Sequence, residues 1–146
     1  GRSYAPLVEQ YRMEDAEIAL MTIGSMTGAA KDAVDEARQA GSKVGIVKVK
    51  TFSPFPLEAL VAALDKVQAI GVVDRSVAFR WNCGPLYQET LGALYRLGRH
   101  VPSTSFIGGL AGADLTVDHF LRVIRETEAL RHGRLSSGPV WLNEND

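Results

Sequence analysis

The sequence predicts an α/β fold: a three-layer, doubly wound, mostly parallel sheet. Three observations carry this. Short runs rich in valine and isoleucine alternate with segments of helical period, the signature of strand–helix–strand units. Several of the runs are apolar throughout, as strands covered on both faces are. Glycine or proline punctuates many of the joints between them.

Residues 1–15 read as a lead-in arm on the domain surface, with an apolar patch at Pro6-Leu7-Val8 followed by polar side chains. The first strand is expected over 17–23 (EIALMTI), ended by Gly24-Ser25. A helix follows over 29–40, because Ala30, Val34 and Ala37 share one face and charged residues take the other. Gly41 stops it. The second strand spans 43–50, and Lys48 and Lys50 at its end suggest an edge position or a lysine-protected end. Pro56 is placed to open a helix over 57–65 at its first position. A third strand over 68–73 ends at Asp74, an irregular connection covers 75–84, and a helix spans 85–97. The fourth strand lies at 103–107. A glycine-rich loop, 108–112, leads to a helix over 117–130 that Asp114 or Thr116 can cap. In the tail, 132–146, a short strand is expected at 139–142.

The 146 residues fit one domain, 1–146, and 46% of them are apolar, enough for a core of its own. A net charge of −1 with scattered cations argues against a nucleic-acid footprint or a polybasic membrane tether. The lone Cys83 forms no internal disulfide, which suits a cytoplasmic setting. No apolar run approaches the roughly 18 residues of a membrane span, and no signal peptide is recognised at the start. The chain lacks an initiator methionine and is read as a fragment or processed product.

Ligands of parallel sheets gather beyond the carboxyl ends of the strands, so those segments supply the candidates. Gly24 and Ser25 precede the first long helix, where free N–H groups suit a phosphate. The spacing Gly-x-x-x-Gly matches neither a dinucleotide fingerprint nor a P-loop, and the favoured reading is a tight turn with Ser25 or Thr27 as cap. Phe52 and Phe55 make a stiff apolar bump that must be buried, in the chain's own core or against a partner. Asp74 and Arg75 offer a ribose or metal contact, or only local loop bonds. Gly108 and Gly109 allow close backbone approach to a ligand or a neighbouring chain, and Asp114 follows them. Cys83 has no histidine in a recognisable hydrolase arrangement. No Cys or His cluster has metal-ligand spacing, so no metal and no catalytic residue is assigned.

Several strings in one order then make a resemblance: Leu7-Val8-Glu9-Gln10-Tyr11, Glu14-Asp15-Ala16-Glu17, Gly24-Ser25, Lys43-Val44-Gly45, Pro54-Phe55-Pro56, Asp74-Arg75-Ser76 and Gly84-Pro85-Leu86. From about residue 4 to about residue 114 the chain resembles the α part of pyruvate:ferredoxin (2-oxoacid:ferredoxin) oxidoreductases. Within that part it resembles the domain similar to the C-terminal domain of transketolase. The resemblance implies an assembly domain without the catalytic site. The implied complex converts a 2-oxoacid and coenzyme A to acyl-CoA, carbon dioxide and reduced ferredoxin. Its thiamine diphosphate, magnesium and [4Fe–4S] clusters would lie outside this chain, which would hold no cofactor itself. The implied partners are other domains or subunits of the oxidoreductase, with ferredoxin and coenzyme A met through the complex. Ser53 stands where the family usually has arginine, and Phe79-Arg80-Trp81-Asn82-Cys83 replaces a usually glycine-rich loop. The resemblance makes pyruvate the default 2-oxoacid, and a sister enzyme for another, such as 2-oxoglutarate or oxalate, stays open. The rival reading is a small-molecule module that binds a nucleotide or coenzyme A at the strand-end loops.

Overall fold

A computed structural model describes residues 8–23, 27–50, 55–78, 83–96, 98–109, 114–134 and 138–142. The chain order is β1 (Val8–Tyr11), β2 (Ile18–Ile23), α1 (Thr27–Gln39), β3 (Val44–Val49), α2 (Leu57–Ala63), β4 (Ala69–Asp74), α3 (Pro85–Arg96), β5 (Ser103–Gly108), α4 (Val117–Arg131) and β6 (Val140–Leu142). The strands form one sheet in the order β1-β3-β2-β4-β5-β6. All neighbours are parallel except β1, which runs antiparallel to β3. From β2 the chain first winds outward to β3, then crosses to β4 on the other side of β2. The winding therefore reverses between β2 and β4, the topological switch point of a doubly wound sheet.

Alternation along the strands builds two apolar layers. Ile18 and Leu20 of β2 point into a cluster with Val34 of α1 and Phe120 and Val123 of α4. Ala19 and Met21 point the other way, toward Leu60 of α2 and Leu86 and Leu94 of α3. Hence α1 and α4 cover one face and α2 and α3 the other, the predicted three layers. Residues of β2, β4 and β5 are almost all buried, as interior strands covered on both faces are, although β5 opens with the polar run Ser103-Thr104-Ser105.

Helix ends follow local chemistry. At the end of α1, Ser42 N–H donates to the Ala37 carbonyl and Gly41 N–H to that of Arg38. This is a Schellman close, and it needs the φ of +102° that Gly41 adopts. Thr116, rather than Asp114, caps α4: its Oγ1 accepts from His119 N–H at 3.2 Å, and His119 Nδ1 accepts from Thr116 N–H at 3.0 Å. Asp114 is exposed.

Three expectations need correction. The arm 1–15 is not merely a surface lead-in, because Val8–Tyr11 forms an edge strand. Consequently β3 is interior, and Lys48 is paired with Glu9 in register rather than guarding an edge. Lys50 and Lys31 both reach the Glu9 carboxylate, so the lysine signal reflects neutralisation of β1's charge. Finally, Pro56 occupies the cap position of α2 rather than its first turn, and the helix closes at Ala63.

Candidate functional site

Four of the candidates, Asp74, Arg75, Gly108 and Gly109, lie at the carboxyl ends of β4 and β5. Asp74 ends β4 and is 2% exposed. The N-terminus of α3 needs acceptors for its free N–H groups, and the residue before Pro85 is Gly84, which has no side chain to offer. Asp74 supplies them from the neighbouring strand. Its Oδ1 accepts from Leu86 N–H at 2.8 Å and its Oδ2 from Tyr87 N–H at 3.2 Å. A Cβ at residue 84 would fall onto this carboxylate, so only glycine lets the loop pass. Gly84 N–H in turn donates to Ser105 Oγ on β5 at 3.3 Å.

Burial pushes the Asp74 carboxyl up to about 6, against the two backbone N–H groups that hold it down. Burial, and then the Asp74 charge, push the Cys83 thiol up as well. Its thiolate, the reactive form, is thereby disfavoured. Burial likewise raises the Tyr87 phenol, whose OH donates to the Ser103 carbonyl at 3.4 Å. Cys83 is tied back through its carbonyl, which accepts from Ala78 N–H at 2.8 Å. Each described polar group here serves the junction between β4, β5 and α3.

Arg75 Nη2 donates to the Gly109 carbonyl at 3.4 Å, linking the ends of β4 and β5. Gly109 takes a φ of +74°, and a side chain at Gly108 would strike Leu115 and Leu142. These glycines thus admit close packing within the chain. Phe55 is half-buried against the α2–α3 layer and lines a cleft of about 360 Å³ with Leu57, Glu89, Gly92, Ala93 and Arg96. Gly24, Ser25 and Phe52 lie outside the described residues. Asp114 stands apart, with no role at the α4 cap.

Sequence reasoning did not find that Asp74 caps α3. The available signal was a proline at a helix start preceded by glycine, which requires an acceptor from elsewhere. Among the described residues no group of three or more His, Cys, Asp or Glu could hold a metal ion. The donor set also excludes a cluster seat, because a [4Fe–4S] cluster takes four cysteines and the chain has one.

This strand order, with helices on both faces, defines the class as a doubly wound α/β domain. Two solved structures share it. A split-gene transketolase, in an inactive beta4 tetramer, superposes with a TM-score of 0.63 at 16% identity, over 81% of this chain and 40% of that one. A 2-oxoglutarate:ferredoxin oxidoreductase from Magnetococcus marinus superposes with a TM-score of 0.60 at 20% identity, over 85% of this chain and 20% of that one.

Sequence comparison is more specific. Residues 16–120 match the pyruvate:ferredoxin oxidoreductase core domain II, and the chain belongs to that family. It is 72% identical to the alpha subunit of the NADH-dependent phenylglyoxylate dehydrogenase of Aromatoleum evansii, over all of this chain and 35% of that subunit. It is 38% identical to the pyruvate synthase subunit PorA of Methanosarcina barkeri, over 88% of this chain and 32% of that subunit. With the ketoisovalerate oxidoreductase subunit VorA of Pyrococcus furiosus it shares 37% identity, over 97% of this chain and 36% of that subunit. The chain thus spans about a third of the length of these relatives.

Proposed function

We propose that this chain is the core domain II of the α part of a 2-oxoacid oxidoreductase, and that it contributes assembly rather than chemistry. The observation that carries this is the 72% identity with a phenylglyoxylate dehydrogenase alpha subunit over the whole chain. That identity favours an aromatic 2-oxoacid over pyruvate, 2-oxoglutarate or oxalate. The overall reaction would join the acyl group of the 2-oxoacid to coenzyme A and release carbon dioxide. The two electrons would pass to a nicotinamide, in keeping with the relative's name, rather than to ferredoxin. Thiamine diphosphate with magnesium, and the iron–sulfur clusters, would be held by other parts of the complex. A cytoplasmic setting is part of the same proposal. Among the described residues no helix is long and apolar enough to cross a membrane.

The engagement of Asp74 with α3 and of Arg75 with Gly109 supports the assembly reading over a nucleotide or coenzyme A module. The test is coenzyme A-dependent reduction of NAD⁺ by the complex purified with its natural subunits. Phenylglyoxylate should serve with a kcat/KM at least tenfold above that for pyruvate. Equal use of both, or preference for pyruvate, overturns the aromatic assignment. Failure of every 2-oxoacid overturns the oxidoreductase reading itself.

A further inference from the structure

The outer face of α3 has no covering element among the described residues. The helix packs mainly on β4 and α2, and Leu86, Thr90, Ala93 and Leu94 take its buried side. The outward face carries two stripes. Leu91 and Tyr95, one turn apart, form the first and stand 39% and 86% exposed. Glu89 and Arg96 form the second, two turns apart and about 20° apart in helical phase. They line the cleft that α3 shares with Phe55 and Leu57. Both charged residues are exposed, and neither has an ion pair among the described residues.

Gly92 lies between the two stripes. A glycine in a helix interior is destabilising, and the chain's own packing does not ask for it here. A Cβ at residue 92 would meet no atom within 4 Å, whereas Gly45, Gly71, Gly84 and Gly108 are each crowded by their own chain.

The spacing is self-complementary. Glu89 stands about 4.5 Å before Gly92 along the helix axis and Arg96 about 6 Å after it. A two-fold axis perpendicular to α3 beside Gly92 brings up a second α3, antiparallel, with each stripe facing its own copy. Glu89 of either helix then stands opposite Arg96 of the other, and Tyr95 of either lies against Leu91 of the other. Gly92 at the crossing lets the backbones approach to the lower end of the roughly 8–10 Å range of helix packing. Contacts of this kind, in which one patch meets itself, build the commonest closed symmetry of oligomers, and the opposite charges fix their register.

We infer that the outer face of α3 is a two-fold interface whose occupant is the α3 of a second copy of this chain. The placement of opposite charges on either side of Gly92 selects a copy over an unrelated protein, because only a copy returns the same charges in reverse order. The inference deepens the assembly role proposed above and rests on it for the setting in which two copies meet.

The test uses the complete oxidoreductase complex with Gly92→Cys in its α subunit. Mild oxidation should join two α subunits through the introduced thiols, identified by mass spectrometry of the linked peptide. Leu91→Cys, also beside the axis, is the second site, so that a lost close approach at Gly92 cannot mask the contact. Adding Glu89→Arg should slow the cross-link about tenfold or more, because two like charges then face each other. Adding Arg96→Glu as well should restore it. Absence of the cross-link at both sites, a cross-link to a different subunit, or a double reversal no faster than the single one overturns the inference. Coenzyme A-dependent reduction of NAD⁺ by the same preparations reads the proposed function separately. An active complex without the cross-link fails only the pairing, and a cross-linked complex inert to every 2-oxoacid fails only the oxidoreductase reading.

Discussion

At the scale of single residues, Asp74 does what a helix-cap side chain normally does, but from another element. Truncation by Asp74→Ala strips α3 of two acceptors and should cost about 2 kcal/mol in chemical unfolding. Its titration has a definite sign. The fold raises the carboxyl from 3.8 to about 6, so its contribution to stability is complete below pH 3.8 and is lost as pH rises to about 6. Asp74→Asn cannot ionise. Its stability relative to the natural protein should therefore improve between pH 4 and pH 6 and level off above, which isolates this group from every other carboxylate. Gly84→Ala drives a methyl onto the same carboxylate and should destabilise by about 2 kcal/mol or more, read as a fall in denaturation midpoint. Thr22 presents the reverse case. Its Oγ1 is buried with no hydrogen-bond partner among the described residues, so Thr22→Val should raise stability by about 1 kcal/mol in the same measurement.

At the scale of elements, the edge strand β1 and the turn after it are held by side chains as well as by the ladder to β3. Arg38 of α1 donates from Nη2 to the Arg12 carbonyl at 2.7 Å and to Asp15 Oδ1 at 2.8 Å, and from Nε to the Val44 carbonyl at 2.8 Å. Tyr11 OH donates to Asp35 at 2.7 Å. Arg38→Ala removes the first set at one stroke. Amide exchange over 8–15 should then quicken about tenfold or more, while β4 and β5 keep their protection. The helices and the buried strands were legible in the sequence because apolar period and glycine stops are local signals. The strand β1 was not, since VEQY is only marginally apolar and gains its place from Glu9, Tyr11 and Arg12 meeting cations and carboxylates distant in sequence. The same holds for Asp74: its residue type and position were visible, but its partners twelve and thirteen residues on were not.

At the scale of the whole molecule, the chain orders two helical layers about a parallel sheet and turns its strand-end polar groups toward its own loops. Family membership was legible from scattered short strings, and two of them, at Asp74 and at Gly84-Pro85-Leu86, meet at the β4–α3 junction. The most direct test of the assembly role is to isolate, from its natural source, the polypeptide that carries this sequence, and to determine its mass, metal and thiamine content. The expected result is a subunit about three times the length of this chain, as the 35% share of its phenylglyoxylate dehydrogenase relative implies, within a complex containing iron and thiamine diphosphate. A free polypeptide of this length, with neither cofactor and no companion subunits, contradicts it.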